Sequence, residues 1–172
     1  KPEDYIMFSD PDEIPRPEVL ANLKLYKKFG IFLQKMFCYK LNVYNPHESP
    51  WEGSRICLKK NLKSIDFLRQ KILKKNIRYP FWRIDKEKNI QLIENGGWHF
   101  NFLSKPEKIS KKLKTFAHTE FDKDQFTNID IIKENIHEMK DLFNRGYQYY
   151  KVQLNKTFPD YILNNQKKFY QW

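Results

Sequence analysis

The apolar run Asp4 to Phe8 (DYIMF) passes directly into Ser9-Asp-Pro-Asp-Glu-Ile-Pro-Arg-Pro17, and this junction restricts the fold more than any other stretch of the chain. Pro11, Pro15 and Pro17 each remove a backbone donor and fix φ, so the segment reads as a loop ending a buried strand and not as a rung of a ladder. Beyond it, Val19, Leu20, Leu23 and Tyr26 fall near helical spacing, with Pro17 in the first turn and Gly30 as a stop; a helix is expected over 16–28. Strand, loop, helix is the unit from which α/β and α+β sheets are assembled.

The rest of the chain continues the mixture. Ile31 to Tyr44 alternates loosely and is rich in aromatic and β-branched residues, Ser54 to Lys59 is a second β-like run, and the two are expected to pair. Ser64 is placed to cap an amphipathic helix with Ile65, Leu68, Ile72 and Leu73 on one side and Arg69, Lys71, Lys74 and Lys75 on the other. Asn89 to Ile93 reads as a strand leading into a tight turn, or a close backbone approach to a ligand, at Gly96 and Gly97. Ser104-Lys-Pro-Glu107 has the spacing of a capping box before a helix through Leu113. Thr127-Asn-Ile-Asp130 opens a further helix reaching Arg145-Gly146, and Phe158 to Phe169 reads as the last. Without an internal repeat or a flexible linker, residues 1–172 read as one domain.

Fourteen Phe, ten Tyr and four Trp in 172 residues are too much apolar mass for a disordered chain. No run is long enough for a transmembrane helix. Lys and Arg exceed Asp and Glu by 32 to 21, and the resulting net charge of +11 favours anionic partners such as nucleic acid, acidic lipid or phosphorylated metabolites. Cys38 and Cys57 lack metal-ligand spacing and read as buried thiols. No P-loop, dinucleotide fingerprint, nucleophile elbow, zinc finger or RNA-binding loop occurs. Tyr79, Phe81, Trp82 and Arg83 fit either a base-stacking platform or, more economically, core packing.

Three constellations carry candidate chemistry. Asp10, Asp12 and Glu13 repel one another unless a cation or donor array neutralises them; they read either as hard oxygen ligands for Mg²⁺ or Mn²⁺ or as helix-capping acids. In Gly97-Trp98-His99, Trp98 can hold a sugar or a base and His99 can ligate metal or move protons, or the pair is a core Trp with a hydrogen-bonded His. His118, Glu120 and Asp122 supply a metal ligand and a general base or form a solvated loop. His47 and His137 read as surface residues, and most of the basic side chains as solvated charge.

Taken together, FSDPDEIPRPEVL, IRYPFW, NGGWHFNFLSKPEKISKKLKTFAHTEF and PDYILNN resemble glycosyltransferase family 17, the β-1,4-N-acetylglucosaminyltransferase-like family, in order and spacing across nearly the whole chain. The resemblance implies a GT-A-type α/β fold and inverting transfer of GlcNAc from UDP-GlcNAc to a glycan hydroxyl. It implies a divalent cation, Mn²⁺ or Mg²⁺, held by Asp10 and Asp12 on the family's acidic element; the His118-Thr-Glu120 arrangement departs from the family's pattern, and His118 as a further ligand and Glu120 as base are read from their own residues. Glu13, His99 and Glu120 are the expected catalytic residues, Glu120 as base. Trp98 and Gly97 are expected at the sugar, and Arg145, with Arg55 or Arg78, at the diphosphate. Few residues precede Asp10, so the nucleotide-binding half is expected on an upstream segment or a second chain, with this chain as the C-terminal catalytic part. Nucleic acid is not an expected partner, since an acidic cluster is a poor surface for phosphate backbone. Peripheral membrane association is compatible with the charge. The expected compartment is the cytoplasm for a bacterial or viral chain and the Golgi lumen for a eukaryotic one. The rival reading is a non-catalytic basic domain that binds glycans or nucleic acid.

Overall fold

The computed structural model describes residues 1–115 and 124–169, and the chain is a mixed α/β protein. It forms two compact units, Lys1–Lys35 with Ser49–His99, and Met36–Glu48 with Phe100–Trp172. The expected residues His118, Glu120 and Asp122 lie outside the described residues.

The first unit is built around β3 (Phe29–Cys38), whose sequence FGIFLQKMFC is almost continuously apolar. A strand of that composition must be covered on both faces, and it is. Phe29, Ile31 and Leu33 pack with Leu68 and Ile72, while Phe32 packs with Ile56, Ile93 and the side chains of Val19, Leu20 and Leu23. Each such fully buried side chain contributes about 1.5–3 kcal/mol relative to exposure. β5 (Trp51–Leu58) pairs antiparallel with β3, the pairing expected of the two β-like runs, and β1 (Tyr5–Phe8) adds antiparallel to the other side of β5. On its other side β3 meets β6 (Ile90–Asn101). Phe29 N donates to Asn89 O and Tyr39 N to Asn101 O, so these two strands run in the same direction.

Two departures from the sequence reading shape the site. The proline-rich segment does form a ladder: β2 (Glu13–Pro15) pairs antiparallel with β6, Glu13 opposite His99, Ile14 opposite Trp98 and Pro15 opposite Gly97. It is an edge strand three residues long, the setting in which a missing proline donor is tolerated. Gly96 and Gly97 form no turn, because β6 runs straight through them. A Cβ on Gly96 would sit 2.8 Å from the Phe32 Cβ, and one on Gly97, whose φ is +139°, 2.0 Å from the Ile14 carbonyl. The close backbone approach is therefore to neighbouring strands. The helix expected over 16–28 shrinks to α1 (Pro17–Ala21), and its expected stop, Gly30, is a strand residue whose Cβ would meet Ile56, Ile93 and Leu25. Ser64 does cap α2 (Ile65–Lys71), its hydroxyl accepting from Phe67 N.

The second unit gathers β4 (Val43–Tyr44) and β7 (Tyr150–Lys151), which pair with each other, beside α3 (Pro106–Thr115), α4 (Asp124–Thr127), α5 (Ile129–Glu138) and α6 (Asp160–Asn164). Phe37 is its aromatic centre, packing on Tyr44, Phe100 and Phe158. Ile109 and Leu113 of α3 and Ile132 of α5 are buried. The cap of α5 is Asn128, one residue past the predicted Thr127, and the helix stops at Met139 in the left-handed region instead of continuing to Arg145. The last predicted helix is α6 followed by a 3₁₀ turn over Gln166–Phe169.

Candidate functional site

The pairing of β2 with β6 builds the site in the first unit. It brings the acidic loop Asp10 to Glu13 against the strand that carries Trp98 and His99. His99 Nε2 lies 3.4 Å from Asp12 Oδ2, and the Trp51 ring meets the His99 ring edge-on with centroids 4.8 Å apart. Glu13 is buried. Its Oε1 accepts from Trp51 Nε1 at 3.0 Å and its Oε2 from the Asp10 amide at 3.2 Å, so the side chain closes the loop on itself. The Ser9 hydroxyl donates to the Glu13 carbonyl at 2.9 Å and meets the Ser54 hydroxyl at 2.7 Å, anchoring the loop to β5.

The three acids therefore differ. Glu13 points inward and is held by two donors. Asp10 and Asp12 keep 40% and 30% of their side-chain surface open to solvent, the condition for meeting an ion or a substrate. Asp10 Oδ1 is 3.6 Å from Arg69, a guanidinium presented by α2. Arg55, half-buried, donates to the carbonyls of Glu52 and Ile72, and burial lowers its affinity for the proton while Glu13 and Glu52 oppose that shift.

Under this loop lies a buried polar layer. Gln34 is fully buried, donates to the Ser54 hydroxyl at 3.3 Å and leaves its Oε1 without a partner. The Nδ1 of His99, a residue 6% exposed, has no partner either. A buried polar atom left unpaired is costly. The imidazole thus turns its Nε2 toward the Asp12 carboxylate at the rim of the loop.

The remaining expected residues are placed differently. Trp98 is 1% exposed, and the Arg16 guanidinium stacks 4.2 Å from its ring centre, so the ring packs in the core with no face toward solvent. Gly97 is the residue that lets Pro15 pair with β6. Arg145, in the second unit, is engaged by two carboxylates: it donates to Asp141 Oδ1 at 2.7 Å and to Glu48 Oε1 at 3.0 Å. Hydrogen bonding to Asp141 holds its charge firmly in place. Tyr79, Phe81, Trp82 and Arg83 are not core, contrary to the economical reading, because Phe81 is 85% and Trp82 65% exposed. They lie in a proline-containing segment before Asn89 that forms no strand or α-helix, so no element buries them.

No local signal in the sequence marks Trp51, Gln34, Ser54 or Arg69, whose roles arise from strand register and from α2 reaching the loop. Both cysteines are buried free thiols, as expected. Among the described residues no cluster of three or more His, Cys, Asp or Glu is grouped as a metal site, and no helix is long and apolar enough to cross a membrane. No protein-family model, no curated protein and no solved structure matches the chain.

Proposed function

We propose that the chain carries the catalytic part of a GT-A-type, metal-dependent inverting glycosyltransferase, moving GlcNAc from UDP-GlcNAc to a glycan hydroxyl. One observation supports this reading above the others: the two motifs that carry the family resemblance, DPDEIP and GGWHF, lie far apart in sequence yet share one antiparallel register, with Asp12 against His99.

In this reading Asp10 and Asp12 are the residues that would hold a hard divalent cation. Asp10 and Asp12 offer solvent-facing carboxylate oxygens, and Mg²⁺ or Mn²⁺ is commonly held by one or two carboxylates together with substrate phosphates, so a third protein ligand is not required. When bound, the ion supplies positive charge for the diphosphate leaving group. His99 orients Asp12 through Nε2, and Glu13 fixes the loop through Trp51 and the Asp10 amide. The acceptor oxygen bonds to the anomeric carbon as the bond to the diphosphate oxygen breaks, the electron pair leaves with UDP, and the hydroxyl proton passes to a carboxylate, for which Glu120 is the candidate. Charge stabilisation around an oxocarbenium-like transition state then carries most of the rate.

The test is transfer of radiolabelled GlcNAc from UDP-GlcNAc to a panel of glycans by the intact native protein with Mn²⁺. Asp12→Asn preserves shape and removes the charge; transfer is expected to fall by about a hundredfold or more, with an unchanged circular dichroism spectrum. Metal-dependent activity equal to that of the unaltered chain would remove Asp12 from the mechanism. Glu120→Gln is expected to retain donor and metal and to lose turnover.

A further inference from the structure

The second unit contains a cavity of about 500 Å³ that the transferase reading does not use. Its size is that of a small-molecule site. Four lysines from four parts of the unit converge on it: Lys40 from the turn after β3, Lys105 from the approach to α3, Lys133 from α5 and Lys151 from β7. His137 adds a fifth basic side chain, and among the described residues no Asp or Glu lines the wall. Val43, Ile136 and Met139 give it an apolar floor.

Four like charges around one hollow repel one another, and among the described residues a single carboxylate pairs with one of them. Among the described residues Lys40, Lys105 and Lys151 make no ion pair, and Lys133 meets only Asp130, at 3.2 Å on an open surface where the Asp130 side chain is 87% exposed. Such a surface pair is weak and readily exchanged. A solvated basic face would spread its lysines outward on one helix; here loop, helix and strand each contribute to a shared concavity. Ser104 and Pro106, at the start of α3, line the same space, and the positive end of that helix adds to the field. Among the described residues no arginine lines the cavity, so its charge is presented by lysine ammoniums, compact point charges with rotatable donors that serve as phosphate binders.

We infer that this cavity binds a phosphomonoester, its phosphate held by Lys40, Lys105, Lys133 and Lys151 and its organic body resting on Val43, Ile136 and Met139. A soluble sugar phosphate and the headgroup of an anionic lipid share this chemistry, and the site stands independently of the transferase reading.

The experiment is calorimetric titration of the full chain with glucose 6-phosphate, with glucose, and with phosphatidic acid vesicles against phosphatidylcholine vesicles. The variants are Lys133→Gln/Lys151→Gln and, as a control for non-specific charge, Lys71→Gln/Lys75→Gln in the first unit. All four side chains are exposed, and circular dichroism verifies that each variant folds. The expected result is saturable binding at a single site for glucose 6-phosphate or phosphatidic acid, none for glucose or phosphatidylcholine, and affinity about tenfold lower in the cavity variant but unchanged in the control. Preference for the soluble ester assigns a metabolite, and preference for the vesicle assigns a membrane. Absence of saturable binding to either phosphate up to millimolar concentration, or equal losses in the two double variants, would overturn the inference.

Discussion

Individual side chains in this protein separate into those held by burial and those held by charge. Cys38 is of the first kind: burial raises its thiol to about 12, so at pH 8 it carries essentially no thiolate, and Cys57 is raised by burial as well. Neither is expected to react with Ellman's reagent in the folded chain, whereas two thiols per chain should react after denaturation in guanidinium. Asp141 is of the second kind. Burial pushes its carboxyl up, but hydrogen bonds from the Arg145 side chain and backbone, together with the Tyr149 hydroxyl at 3.0 Å, hold it below the usual carboxylate range. A carboxyl whose folded value is depressed stabilises the fold fully above its unfolded value; that contribution is lost as pH falls from about 4 through the lower folded value. Asp141→Asn is expected to cost about 2–3 kcal/mol at pH 7 and to flatten the acid limb of the stability curve, measured by urea denaturation between pH 7 and 2. An acid limb as steep as that of the unaltered chain would move the titrating group elsewhere.

At the scale of elements, the strands were legible where hydrophobicity alone decides them. β1, β3 and β5 stand out because aromatic and β-branched runs have few alternatives, and α2 because Ser64 announces it. The pairing of β2 with β6 was hidden, since three prolines argue against a ladder unless the strand is known to be an edge, and edge position is a property of the assembled sheet. For the same reason Gly96 and Gly97 read as a turn: their smallness was evident, but not that it serves two neighbouring strands. Gly97→Ala is accordingly expected to lower stability by about 3 kcal/mol or more by thermal denaturation, because its Cβ would meet the Ile14 carbonyl and its backbone sits at positive φ. The exposed segment gives the opposite expectation. Phe81→Ser/Trp82→Ser should change stability by less than about 1 kcal/mol although it removes two aromatic rings, whereas Leu68→Ala, at a fully buried position, should cost about 3 kcal/mol. A large loss from the double serine variant would mean that these rings are covered in the folded protein.

Considered as a whole molecule, the chain carries a site rich in carboxylates in one unit and a cavity lined by lysines in the other, so its net charge of +11 conceals two opposite local chemistries. The acidic site was partly legible, because Asp10, Asp12 and His99 lie in compact motifs. Trp51, Gln34 and Ser54, which complete it, become neighbours only through the register of β5 against β3. The lysine cavity left no trace in the sequence, where its residues are scattered among the many lysines of a basic chain. The proposed activity depends above all on a divalent cation held by the acidic loop beside β6 for transfer from a nucleotide sugar. Electron paramagnetic resonance of Mn²⁺, titrated with the intact native protein in the presence of UDP-GlcNAc, tests this most directly. The expected result is loss of the free-ion signal at one equivalent in the unaltered protein and its persistence in Asp12→Asn; an undiminished free-ion signal with the unaltered protein, or equal loss in the variant, would contradict it.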